Sequence, residues 1–277
     1  MSAGLAAVPA LGETVLAPAS APERRPYTAG RDRRVVAIIL LATWQGLSVA
    51  FGTYWIPSPW STLSRLIAGV VSGDVPRHAL YTLSEAVLGF AIGSVPAVGL
   101  PLLLRRMPTA TDVLEPFMTA GYGVPKLALA PLFILWFGIG MASKVALVAV
   151  SAFFILYFST RAGLQAVDVN LVQTARVLGA TERHVTRHII VPGAAPYILA
   201  GIRIAVPYSI GGAVIAELLS ANRGLGYLVQ FSATDFDTTG VFVALTVIGM
   251  IVSLANCTVT VVERRVLHWR DGLATGS

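Results

Sequence analysis

Residues 241–262 read VFVALTVIGMIVSLANCTVTVV, a run without a single charged side chain. As a helix rising 1.5 Å per residue it reaches roughly 33 Å, enough to cross about 30 Å of hydrocarbon. The rest of the chain has the same character. Of 277 residues, 55% are apolar and 12% charged, where a soluble domain carries roughly 25% charged residues. A soluble fold of this size could not cover itself with so few charges. Disorder and collagen are excluded by the same composition, and a disulfide scaffold by Cys257 being the only cysteine. The composition is that of an integral membrane protein, and apolar runs long enough to cross as helices make it an all-α, polytopic one.

Working back from residue 241, five more apolar runs can be placed. Val35–Trp55 follows the basic cluster Arg31, Arg33, Arg34 and stops at Ile56-Pro57-Ser58-Pro59. Ala79–Leu104 is interrupted by Glu85 and expected to bend at Pro96 and Pro101. Val113–Gly138 holds Pro116, Pro125, Lys126 and Pro131, so one straight helix is not expected there. Val145–Thr160 is short and can extend past its flanking charges, and Gly193–Leu219 contains Arg203 and Pro207. Ser61–Val71 has apolar residues at helical spacing and is expected to lie along the outer interface.

Residues 1–30 read as a mobile cytoplasmic tail, without a run long enough for a signal-peptide core. Residues 31–270 form the membrane domain, and 271–277 a short tail. Six spans put both ends on one side. The N-terminal tail, the 105–112 loop, the 161–192 block and the C-terminus hold 14 of the 20 Lys and Arg residues. The opposite loops hold four: Arg65, Arg77, Lys144 and Arg223. Positive residues concentrate on the cytoplasmic side, so both termini are expected there, in a bacterial inner membrane. The net charge of +6 is spread between spans rather than clustered among aromatics, which speaks against nucleic acid.

The sequence lacks the elements of catalysis. Neither lysine sits in a Gly-x-x-x-x-Gly-Lys-Ser/Thr loop, so no ATPase is encoded. His184 and His188 are spaced i,i+4 without an HExxH pattern or a third ligand, and no metal or cofactor of the chain's own is expected. The largest polar block, 161–192, reads as helix–Gly–helix. Asn170 can cap a helix carrying Leu171, Ala175 and Leu178, Gly179 ends it, and Thr181 caps a second helix, Glu182 to Ile190, which Pro192 stops. Such an element is either an amphipathic connector or a docking knob for a soluble partner.

Residues 173–192, QTARVLGATERHVTRHIIVP, resemble the cytoplasmic EAA loop of binding-protein-dependent ABC importer permeases. Gly179, Ile189, Val191 and Pro192 stand at the pattern's spacing. Gln173 and Thr174 replace its usual Glu and Ala, which bears on one charge contact to the ATPase. Over residues 40–270, Leu127–Leu132, Leu135–Gly140, Pro196–Arg203 and Gly224–Tyr227 look like the nitrate, sulfonate, taurine and bicarbonate subfamily. That subfamily also includes importers of vitamin precursors and aromatic acids.

The resemblance implies a type I ABC importer transmembrane fold with about six transmembrane helices. It also implies a homodimer around a translocation path for a small, anionic solute, with two ABC ATPase subunits below, which bind ATP and Mg. A periplasmic or lipid-anchored substrate-binding protein would dock outside. Gln173, Thr174, Ala175, Arg176, Leu178, Gly179, Ala180 and Pro192 would then couple the chain to its ATPase. Lys126, Glu85, Arg203 and Glu217 are the candidates for the path. Lys126 falls ~20 Å into its span, where a lysine costs about 2.5–3.5 kcal/mol. Its partner could be the anionic substrate or Glu85, or a kinked span could let it reach the outer interface. The alternative, an ion-gradient carrier, needs coupling carboxylates near the membrane centre, whereas Glu85 and Glu217 fall near the outer ends of their spans.

Overall fold

A computed structural model describes residues 29–267, which are helical throughout apart from short connections. The chain divides into two compact units after Thr43. In the first, residues 33–43 of helix α1 (Ala29–Phe51) are exposed on every side, Val35, Ile38 and Leu40 included. An apolar helix without a buried face suits lipid.

The second unit begins with the remainder of α1. Ser58 then accepts the Ser61 N–H at 3.1 Å and caps α2 (Pro59–Val71), with Pro59 in the first turn, where its missing N–H removes no helical bond. Three long helices form the centre: α3 (Asp74–Leu104), α6 (Met141–Gln165) and α9 (Val191–Ser220). Without water to drive helices together, membrane helices pack through small residues that let backbones approach. On α3, Gly89, Gly93 and Ala97 recur every fourth residue; a Cβ at Gly93 would collide with the Ala149 carbonyl of α6. On α9, Gly201, Ala205, Ser209 and Ala213 repeat that spacing and are all buried. Pro96 and Pro101 do not interrupt α3, nor Pro196 and Pro207 α9.

The span around Pro125 is broken, as its prolines suggest. Helix α4 (Pro108–Gly123) ends because Val124, preceding a proline, turns extended (φ −64, ψ 129). A 3₁₀ turn, Lys126–Leu129, then leads into α5 (Ala130–Phe137), and the two halves meet at 87°. Five helices are long and apolar enough to cross a membrane, six if this bent pair counts as one.

Two expectations need correction, and one helix goes beyond them. Pro192 does not stop the helix before it. The Val191 N–H reaches back five residues to the Thr186 carbonyl, and this π-turn (Thr186–Ile190) carries the chain into α9 with Pro192 in the first turn. Glu182–Ser220 therefore runs as one span of 39 residues. Lys144 is not a loop charge but lies buried inside α6. Between α9 and the last span, α11 (Thr238–Val266), stands a short helix, α10 (Leu225–Thr234). Glycines at 224 and 226 hide it from a reading of helix propensity.

Candidate functional site

The 168–185 element is built from caps. Asp168, rather than Asn170, starts α7 (Val169–Val177), since its carboxylate accepts the Asn170 N–H at 2.8 Å; Asn170 sits inside the first turn. At the other end the Gly179 N–H donates to the Arg176 carbonyl (2.9 Å) and the Ala180 N–H to the Ala175 carbonyl (3.0 Å). This paired closure needs a left-handed residue between the two, and Gly179 supplies it with φ +86. The Thr181 hydroxyl then accepts the His184 N–H at 3.3 Å to start α8 (Glu182–Val185). Gln173, Thr174, Arg176 and Gly179 are exposed, Ala175 and Ala180 half-buried. At the tip Val177 is 86% and Leu178 81% exposed, while Val185 and Ile190 anchor the base in the interior. Two bare aliphatic side chains on a capped, rigid frame form an apolar anchor of the kind that protein partners bury.

A cleft of about 1020 Å³ opens on α4, the 3₁₀ turn, α6 and α9. Tyr122, Phe158 and Tyr208 line it with Ser151 and Lys126, and Gly211 and Gly212 leave its wall low. Lys126 Nζ donates to the Tyr122 carbonyl. It also lies 4.8 Å from the centroid of the Tyr122 ring and 4.9 Å from that of Phe154, where ring faces attract a cation. Among the described residues no carboxylate comes within ion-pair distance of it. The expected alternative of a pair with Glu85 is thereby removed, because Glu85 already holds Lys144 at 3.0 Å, both side chains buried.

Glu85, Glu217 and Arg203 do not line this cleft. Glu217, buried, serves α10. Its Oε2 accepts the Gly226 N–H at 2.7 Å and its Oε1 the Thr82 hydroxyl at 2.7 Å. Thr82 in turn accepts the Leu225 N–H (2.8 Å), and His78 Nδ1 the Gly224 N–H (2.9 Å). The free N–H groups at the start of a helix need acceptors and favour a negative charge, and this cluster provides both. A Cβ at Gly224 or Gly226 would strike the Glu217 side chain, so the glycines are required by the seat itself. Arg203 is exposed, 3.5 Å from Glu263 of α11.

Residues 89–268 match the family described as "binding-protein-dependent transport system inner membrane component". The chain belongs to that family. It is a permease of an ABC importer, a multi-pass subunit that catalyses no bond chemistry itself, and it works with ATPase and substrate-binding partners. It is similar to the putative aliphatic sulfonates transport permease SsuC of Bacillus subtilis, 33% identical over 84% of this chain and 85% of the relative. The formylaminopyrimidine transport permease ThiX of Halalkalibacterium halodurans is 32% identical over 84% and 93%, and the taurine permease TauC of Escherichia coli 30% over 84% and 87%. In fold it resembles the inward-facing MetNI methionine ABC transporter, with a TM-score of 0.57 at 19% identity over 75% of this chain and 93% of that one. An amino acid ABC transporter gives 0.58 at 18% identity over 72% and 98%.

The permease thus gathers the residues 173–180 into one exposed element and sets Pro192 apart from them, beyond the π-turn. Of the four path candidates it leaves Lys126 alone in the cleft. The aromatic residues around Lys126 were not singled out from the sequence, because an isolated Tyr or Phe in an apolar run carries no signal of what it faces. Glu182 was legible only as a first-turn acid; its two guanidinium partners, Arg176 and the distant Arg105, depend on tertiary placement.

Proposed function

We propose that the permease passes a small anionic solute, a sulfonate or a molecule of similar charge, inward along a path enclosed by two copies of this chain. ATPase subunits dock on the Asp168–Val185 element, whose exposed Val177 and Leu178 supply the contact. ATP binding and the loaded binding protein shift the balance between inward- and outward-facing states. The observation that carries the choice of cargo is Lys126, a cation in the cleft with no carboxylate beside it among the described residues. Relatives named for sulfonates and taurine support the same reading. The aromatic cleft walls, and a relative named for formylaminopyrimidine, favour a planar heterocycle as the second reading.

Uptake by proteoliposomes holding the permease, its ATPase and its binding protein distinguishes them. A charge-assisted contact is worth about 1.5–3 kcal/mol, so Lys126→Met is expected to lower uptake of radiolabelled taurine roughly tenfold or more while the complex still assembles. Unchanged uptake in Lys126→Met removes the lysine from the path and favours the heterocycle.

Both termini are placed in the cytoplasm in this proposal, with the 220–236 segment outside. Reporter fusions after Arg270 and within 220–236 are expected to report opposite sides of the membrane; same-side signals overturn the topology.

A further inference from the structure

The 168–185 element is joined by the chain to two of the three central helices. It follows α6 directly, and it passes through the π-turn into α9. Helix α3, which packs along α6 through Gly89 and Gly93, has no such covalent link, yet an alternating-access cycle must move it in step. Its end lies beside the element. Arg105 follows the last turn of α3, and its Nη2 reaches the Thr186 hydroxyl at 3.2 Å and the Glu182 carboxylate at 3.6 Å. Glu182 is held from the other side by Arg176 of α7, with Nη2 at 2.6 Å and Nε at 2.7 Å. The Thr186 hydroxyl meanwhile donates to the Glu182 carbonyl at 2.8 Å. One guanidinium therefore touches both the first residue of α8 and the first residue of the π-turn.

We propose that Arg105 is a positioning residue that ties the end of α3 to the 168–185 element, so that a displacement of the element by the ATPase moves α3 together with α9. This rests on the reading of that element as the ATPase dock. Three features support it. Arginine presents its donors in a rigid plane, here with Nη2 facing both acceptors, an orientation that the rotatable ammonium of a lysine on its flexible stem does not fix. The contact falls at a π-turn, where a helix carries a wider, less regular bond and can shift register. Arg105 Nε is buried and has no hydrogen-bond partner, so one donor is left over for a different set of partners in the other state. The pair contributes little to stability, since Glu182 is about half exposed and keeps Arg176 when Arg105 is removed.

The test uses the assembled complex of permease, ATPase and binding protein in liposomes, and reads the stimulation of ATP hydrolysis by the loaded binding protein. Arg105→Ala and Thr186→Val are expected to lower that stimulation at least about fivefold, the lower end of ordinary coupling between sites, and Arg105→Lys to recover part of it. Gly179→Leu serves as the control for docking. Normal stimulation in Arg105→Ala and Thr186→Val, with none in Gly179→Leu, overturns the role of Arg105 and leaves the dock standing. Normal stimulation in Gly179→Leu overturns the dock itself. Should Arg105→Ala fail to accumulate in the membrane, Thr186→Val decides, because it takes the acceptor hydroxyl from Arg105 at nearly constant side-chain volume, and the bond that hydroxyl donates to the Glu182 carbonyl lies within the element. Reduced protein with normal stimulation per molecule would make Arg105 no more than a cap on α3, and also overturns the proposal.

Discussion

Lys144→Met is expected to leave little folded permease in the membrane. The lysine side chain is 7% exposed and Glu85 2%, with 3.0 Å between Nζ and Oε1. Removing one partner of a buried pair leaves the other as an uncompensated charge, at a cost of about 3–5 kcal/mol. That is a large share of the 5–15 kcal/mol by which proteins are usually stable. The carboxylate left behind also sits beside Glu217, the acceptor that seats α10, so the damage reaches that helix. Size-exclusion profiles and melting of the detergent-solubilised protein check this. Lys144→Met combined with Glu85→Leu should recover much of the loss, since replacing both members with apolar residues is far cheaper than stranding one. A single mutant that melts like the wild type would contradict the pairing.

Gly179→Leu is expected to have the opposite profile, normal protein and no transport. A Cβ at Gly179 meets open space, so packing does not suffer. The cost is confined to φ +86, about 1–2 kcal/mol for a residue with a side chain, which a stable membrane domain absorbs. The leucine projects beside Leu178 at the exposed tip, where the proposed ATPase contact lies. Gly179→Ala separates the two effects, for it carries the backbone strain without the bulk and should keep a substantial part of transport. Full transport with leucine would remove the tip from the interface; equal loss with alanine would assign the effect to the turn.

The membrane class, the broken span at Pro125 and the left-handed Gly179 were legible because each rests on local chemistry: an uncharged run, a proline without an N–H, a glycine between two helical patterns. The cap at Asp168 was missed by two residues, because Asp and Asn are equally good caps and periodicity does not choose between them. Pro192 read as a stop because proline breaks an α-helix from within, but one π-turn is enough to bring it into a first turn. Glu85 and Glu217 read as path residues because an acid in an apolar run demands a function. In the structure they hold Lys144 and the start of α10, and those contacts depend on partners 59 residues away at Lys144 and 135 away at Thr82. No spacing rule reaches that far.

The central claim is that ATP, acting through the Asp168–Val185 element, drives a solute along the cleft. It is tested most directly in proteoliposomes by uptake of radiolabelled taurine, methanesulfonate and nitrate, with and without the ATPase and with an imposed ion gradient. The account predicts uptake that requires ATP, the ATPase and the loaded binding protein together, and that falls to background in Gly179→Leu. Uptake driven by the ion gradient alone, with the ATPase left out, would contradict it.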